Sequence, residues 1–267
     1  MKEVQQPTPL PFTELTAISP LDGRYREQTE ALSPYVSEYG LIKTRIEVEA
    51  KYLVALSDIG IVRPLEDGER ERLLSFGDAL SHKDAQRVKD IEKETSHDVK
   101  AMERALRAML EGTSLSDLIE KVHIGLTSED INNISYRLML KRATQDIVLP
   151  ELDGIVANLS DQAETYKATP MLARTHGQDA VPTTLGKEMV NFASRLHGQV
   201  EELRGRKLTG KFSGAVGNFN ALVATYPDID WVEFSRKFTE SFGLEPNMAT
   251  TQINSYEDMV AYFQNYQ

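Results

Sequence analysis

Leu185, Met189, Phe192, Leu196, Val200 and Leu203 recur at spacings of four, three, four, four and three residues. That is one face of a helix running for about five turns. A helix cannot bury so long an apolar stripe on its own surface, so the stripe calls for equally long neighbours packed alongside it. The fold that meets this demand is a bundle of long helices, with neighbouring subunits as further partners. Strand-like alternation is weak almost throughout, and the expected class is all-α.

Helical spacing recurs elsewhere. Ile42, Ile46, Leu53 and Leu56 share a face between Tyr39 and Ser57, with Gly60 as a stop. A second helix is expected from Asp67 to Leu80. Val99, Met102, Leu106, Met109 and Leu110 make a stripe between Asp98 and Glu111 that Gly112 ends. From Thr127-Ser128 a helical pattern continues to about Lys167, with Pro150 expected to kink or interrupt it. Pro182-Thr183-Thr184 reads as the start of the next helix, and Asp230-Trp231-Val232-Glu233 carries capping-box logic for another, closed by Gly243. The stretch Gly112–Ser116 reads as a joint. The expected organisation is an N-terminal helical domain over residues 1–115 and a central long-helix bundle over 116–267. The amphipathic stretch from Asp258 to Gln267 has no closing cap and reads as a helix cut in the middle, so the bundle is expected to be truncated.

Composition removes several classes of function. The 41 acidic and 30 basic residues give a formal charge of -11, which argues against broad binding to nucleic acid or to anionic lipid. With no cysteine there is no disulfide, thiolate metal site or cysteine nucleophile, in keeping with a cytoplasmic protein. No window approaches the ~20 apolar residues of a membrane span, and residues 1–12 have no signal-like apolar run and read as a loose tail.

Chemistry concentrates in a few short segments, each with an ordinary alternative. Thr127 and Ser128 stand where a helix N-terminus offers unpaired N–H groups and the positive end of its dipole, so a phosphate or carboxylate fits there. Equally, Thr127 is a helix cap with Asp130 as its partner. The adjoining Asn132-Asn133 tilts towards a site, since two asparagines near a helix start are poor helix formers without an evident packing role. His176, within Arg174-Thr175-His176-Gly177-Gln178, suits proton transfer near neutral pH, or is a loop histidine bonded to backbone. Ser96 can cap the next helix, with His97 and Asp98 in its first turn. Arg24-Tyr25 follows a turn at Asp22-Gly23 and pairs a cation with an aromatic ring, able to grip a phosphate and stack on a base or to form a surface turn. Gly214-Ala215-Val216-Gly217-Asn218 lacks the dinucleotide-binding glycine spacing. His82, His123 and His197 have no metal-ligand spacing and are expected to be structural or on the surface.

In chain order, Ser19-Pro20-Leu21-Asp22-Gly23-Arg24-Tyr25, Ser96-His97-Asp98-Val99-Lys100, Thr127-Ser128-Glu129-Asp130-Ile131-Asn132-Asn133, Arg174-Thr175-His176-Gly177-Gln178 and Gly214-Ala215-Val216-Gly217-Asn218 closely resemble the adenylosuccinate lyases of the fumarase/aspartase superfamily. Each block is weak alone; five in register, spanning about Leu15 to Ile253, are specific. The resemblance implies an all-helical homotetramer with each active site built from three subunits and no metal or organic cofactor. It implies β-elimination of fumarate from adenylosuccinate, giving AMP, and from the succinyl-carboxamide ribotide of purine biosynthesis.

Carried over by position, His176 would be the general acid for the departing nitrogen. Arg24, Tyr25, Ser96, His97 and Asp98 would contact the nucleotide, Thr127 and Ser128 would hold the succinyl carboxylates, and Gln252 would bind substrate. The departures are Asp179 where proline is common, Ser96 where asparagine is usual, Leu222 where histidine often follows Asn220-Ala221, and Asn254-Ser255-Tyr256 in place of Glu-Pro-His. The family's base, a serine on a Gly-Ser-Ser loop, has no counterpart here, so this chain alone is expected to be inactive or nearly so. Two other functions stay open: a non-catalytic helical protein using the same scaffold for nucleotide binding or oligomerisation, and a sibling lyase acting on argininosuccinate or fumarate.

Overall fold

The computed structural model describes residues 13–267, so the tail expected over residues 1–12 lies outside the described residues. Two short helices, α1 (Arg26–Thr29) and α2 (Ser33–Val36), lead into α3 (Glu38–Asp58). Ser37 opens α3 by accepting a hydrogen bond from the Gly40 N–H at 3.2 Å. The expected stripe of Ile42, Ile46, Leu53 and Leu56 is buried, and Gly60, at φ +78°, stops the helix.

α4 (Asp67–Ser75) ends before the expected Leu80, and α5 (His82–Thr95) stands where periodicity predicted no element. α5 is opened by Ser81, whose side chain accepts from the Asp84 N–H while Asp84 accepts from the Ser81 N–H. α6 (Asp98–Leu110) follows as expected, closed by Gly112 at φ +70°. Buried side chains from both sides of the Gly112–Ser116 joint, among them Leu53, Leu106, Leu118, Ile131 and Ile134, form one continuous apolar cluster.

α7 (Ser128–Ala143), a π-helical turn (Thr144–Val148) and α8 (Leu149–Thr165) make one rod. Pro150 lies in the first turn of α8, and the wider π turn just before it is where the rod accommodates a residue with no N–H to donate.

Two strands then depart from the expectation of helices alone. β1 (Pro170–Thr175) and β2 (Gln178–Thr184) form an antiparallel hairpin with Thr175 opposite Gln178, leaving His176-Gly177 as a two-residue turn. Both turn residues have positive φ, +53° and +72°, the geometry of a type I′ turn that matches the twist of paired strands. Pro182 and Thr183 belong to β2 rather than to a helix start. Thr184 alone caps α9 (Leu185–Gly205), accepting from the Lys187 N–H at 3.2 Å.

The remaining elements are β3 (Thr209–Gly210), α10 (Asn220–Thr225), α11 (Trp231–Glu240), β4 (Glu245–Pro246, parallel to β3) and α12 (Glu257–Gln264). Asp230 caps α11 as expected. The rings of Tyr52, Phe212, Phe234 and Phe238 close the core between α3 and α11, with Phe212 and Phe238 centred 4.5 Å apart.

The stripe of α9 is only partly buried. Val200 and Leu203 are inside, whereas Phe192 is 55% exposed. α8 is the long neighbour of α9, and Gly186 approaches it so closely that a Cβ there would collide with the Ala163 carbonyl. Along the rest of the stripe Leu185, Met189 and Leu196 are half-buried, and Phe192 faces outward.

Candidate active site

The segment between α5 and α6 is built differently from its expected cap. Ser96 closes α5 in the left-handed region at φ +51°, and it is His97 that caps α6, its Nδ1 accepting from the Lys100 N–H at 3.1 Å. Asp98 begins the helix and reaches back to α3. Its Oδ2 accepts from Arg45 at 2.6 Å, and the Arg45 Nε donates to Asn132 Oδ1 on α7 at 2.9 Å. Burial pushes the Asp98 carboxyl up, but the adjacent Arg45 charge and hydrogen bonds outweigh it and hold the group below its ordinary value. Arg45 therefore spans the starts of two helices from a position only 2% exposed.

The start of α7 is anchored from beneath. Asp130, fully buried, accepts from the Thr127 N–H at 2.9 Å, from the Ser213 N–H at 2.9 Å, from the Gly214 N–H at 3.1 Å and from Lys211 Nζ at 2.7 Å. Lys211 is equally buried and also donates to the Gly214 carbonyl. An ion pair with no access to water needs further hydrogen-bond partners, and here Asp130 has three backbone N–H donors and Lys211 the Gly214 carbonyl. Asn133 completes the lattice: its Oδ1 accepts from the Lys211 N–H and its Nδ2 donates to the Lys211 carbonyl, both at 2.8 Å. Asn132, half-buried, accepts from Arg45, and Asn133 is structural. Its packing role comes from residues nearly eighty positions away.

Through this lattice the Gly214–Asn218 loop lies against α7 and against Thr250-Thr251. Ser213 Oγ is 3.1 Å from Thr250 Oγ1, and a Cβ on Gly217 would run into the Thr250 carbonyl. Gln252, the next residue but one, is exposed, while Thr127 and Ser128 are half-buried. Leu222 is buried and packs on Gly125, so this departure fills space beside the loop that leads into α7. At the edge, the Tyr256 hydroxyl donates to Glu129 Oε1 at 3.2 Å, and its ring lies 5.1 Å from the Arg137 guanidinium. Burial raises the Glu129 carboxyl above its ordinary value, against the smaller opposing effect of Tyr256.

His123, read from sequence as structural, is tied to the fully buried Glu49. Its N–H donates to Glu49 Oε2 at 3.2 Å and its Nδ1 lies against Oε1. Burial disfavours the imidazolium, but the Glu49 hydrogen bond and charge prevail and the pKa is raised. His82 stacks on Tyr39 and His197 is exposed, also as expected.

Two of the five motifs stand apart. Arg24 lies 4.9 Å over the ring of Tyr25, both exposed on the segment before α1. His176 sits exposed at the hairpin tip, where Arg174 and Asp179 pair at 3.6 Å across the strands. Among the described residues no hydrogen bond or ion pair joins Arg24, Tyr25 or His176 to the cluster around α6 and α7. The cluster thus unites Ser96, His97, Asp98, Thr127 and Ser128 with the Gly214 loop and the neighbourhood of Gln252. Asp130, expected only as the capping partner of Thr127, fills that role, while Arg45 and Lys211, which organise the cluster with it, were not expected; a charged residue on the apolar face of α3, as at Arg45, was the available signal.

A family model described as lyase matches residues 23–266. The adenylosuccinate lyase of Haemophilus influenzae is 41% identical over 256 residues, covering 94% of this chain and 56% of that protein. That of Escherichia coli strain K12 is 41% identical over 257 residues, covering 94% and 56%, and that of Dictyostelium discoideum 41% over 267, covering 95% and 57%. The chain spans about half the length of the curated relatives it matches.

In three dimensions it is similar to a fumarate lyase from Mesorhizobium, with a TM-score of 0.70 at 20% identity over 88% of this chain and 53% of that one. It is likewise similar to the β-carboxy-cis,cis-muconate cycloisomerase of Acinetobacter calcoaceticus, with a TM-score of 0.69 at 20% identity over 90% and 53%. At such identity the likeness speaks for the helical fold. The family model, which runs across nearly all of the chain and through every motif of the cluster, carries the assignment: the chain belongs to the lyase family.

Proposed function

We propose that this chain carries the substrate-holding part of an adenylosuccinate lyase, acting on adenylosuccinate and on the related succinyl-carboxamide ribotide with release of fumarate. The observation that carries the proposal is the convergence of two helix starts, at Asp98 and Ser128, through one buried arginine bonded to both Asp98 and Asn132. Helix starts offer N–H donors and positive potential, the features wanted by a phosphate and by a dicarboxylate. His97 and Asp98 would contact the nucleotide with Ser96, and Thr127 and Ser128 the succinyl carboxylates, with Gln252 at the edge.

β-Elimination needs an acid for the leaving nitrogen, a base for a carbon-bound proton and donors for the charge that builds up on the carboxylate. His176 is the proposed acid. Its exposed position, and that of Arg24 and Tyr25, supports a site completed between subunits of a homotetramer, in which a hairpin tip from one chain meets the α6–α7 cluster of another. The outward-facing Phe192, Val190 and Ile155 support the same assembly. The cysteine-free composition supports a cytoplasmic location.

Isothermal calorimetry with AMP and adenylosuccinate tests the proposal. Saturable binding of both is expected, weakened by Ser128→Ala for adenylosuccinate more than for AMP. Absence of any nucleotide binding would overturn it. Where turnover is measurable, His176→Ala is expected to lower it by ~10²–10⁴-fold, the range for a lost general acid.

A further inference from the structure

His97 Nδ1 faces two neighbours with opposite demands. The Lys100 N–H, at 3.1 Å, needs a lone pair there to cap α6, whereas Asp98 Oδ1, at 3.6 Å, draws a proton onto the same nitrogen. One nitrogen cannot serve both. Asp98 is also the carboxylate that Arg45 holds at 2.6 Å through its other oxygen, and Arg45 is fixed in turn by Asn132. The remaining charged group on that turn, Lys100 Nζ, is 2.8 Å from Glu103 Oε2.

We infer that Arg45 is a positioning residue: by taking up the Asp98 carboxylate it leaves His97 Nδ1 as the cap acceptor and keeps the ring proton on Nε2. The imidazole is half-exposed, so its Nε2–H is offered outward as a hydrogen-bond donor to an oxygen of the bound ligand. That last step rests on the nucleotide reading above; the tautomer does not. A donor locked in this way accepts nothing from the ligand, so the ring favours an anionic or carbonyl oxygen over a protonated nitrogen or a hydroxyl hydrogen.

The chain has five histidines, and ¹⁵N spectra of its labelled rings above neutral pH distinguish the two tautomers, with His97→Gln assigning the signal. The wild-type protein is expected to show His97 as Nε2–H. Arg45→Gln is expected to convert most of it to Nδ1–H, and adding Asp98→Asn to Arg45→Gln to restore Nε2–H, a rescue that general loosening of the fold does not give. A wild-type Nδ1–H tautomer, or an unchanged His97 in a folded Arg45→Gln protein, would overturn the inference, the first of these even where the variant does not fold.

AMP titrated into the same samples reads the other part separately. Affinity is expected to fall about 10- to 100-fold in Arg45→Gln, the scale for losing a group that orients a binding residue. A tautomer switch in a protein that binds no AMP would leave the role of Arg45 standing and remove the nucleotide reading.

Discussion

The body around α3, α6, α7 and α11 and the arm of α8, the hairpin and α9 obey different rules. In the body, apolar stripes find partners within the chain: Ile46, Leu53, Leu56, Met102, Leu106 and Ile131 have no exposed surface, and even the charged Arg45, Asp130, Arg137 and Lys211 are enclosed with partners. Along the arm the same kind of stripe is half-used, and Ile155, Val190, Phe192 and Val181 stay at least half exposed. An exposed aliphatic residue alone means little, but several along paired helices mark a contact surface. The body spends its sequence on its own stability; the arm spends it on something outside itself.

Substitutions sharpen this contrast. The largest effect is expected from Asp130→Ala, which strands the Lys211 ammonium without its carboxylate; a loss of ~3–5 kcal/mol in urea unfolding is the usual result of breaking a buried pair from one side. A loss below ~1 kcal/mol would mean that water reaches Lys211 and that the body is looser than described. Leu53→Ala, in the same body, is expected to cost ~2–5 kcal/mol by the same measurement, through lost burial and a residual cavity.

The Glu49–His123 pair gives a smaller, pH-dependent effect. Because the folded-state pKa of His123 is raised, its contribution is complete below the unfolded value near 6.5 and is lost as pH rises through the folded value. Stability measured from pH 6 upward should therefore fall, by at most about 1.4 kcal/mol per pH unit from this group, and His123→Asn should remove that component of the slope. A rise with pH in the wild-type protein that His123→Asn abolishes would reverse the sign. The smallest effect belongs to the arm: Phe192→Ser should change unfolding free energy by no more than ~0.5 kcal/mol while weakening self-association in sedimentation. Equal cost at Phe192 and Leu53 would erase the distinction between the two regions.

Legibility followed the same division. Stripes with strong period, on α3, α6 and α9, were readable because burial inside one chain or along a bundle repeats every three or four residues. α5 was not: its buried face is little more than Ala85 and Val88 among charged residues, and the Ser81 cap that starts it belongs to a common pattern. The hairpin escaped because neither strand has a buried face, so no alternation of polar and apolar residues was needed; the His176-Gly177 dipeptide between two short extended runs was the remaining signal. In the cluster, Thr127 and Ser128 were legible as a helix start suited to an anion, whereas Ser96, His97, Asp98 and Gln252 were offered as ligand contacts through motif resemblance. What organises it came from structure, because beyond the local cap on Thr127 Asp130 meets Lys211 and Gly214, and Arg45 meets Asp98 and Asn132, across sequence separations that no local pattern encodes.

The π turn at Thr144–Val148 sets the bearing of the arm. Each helical residue turns the chain by about 100°, and a π turn holds one residue more than an α turn, so it dials everything after it by roughly that angle about the rod's axis. Removing Gln145 would restore a regular ladder and turn α8 and the hairpin by about a quarter of a revolution, against the packing of Leu149, Val200 and Leu203 on the core. The compass direction in which His176 is carried away from the body is thus encoded in the count of residues in one turn, not in any contact that His176 makes.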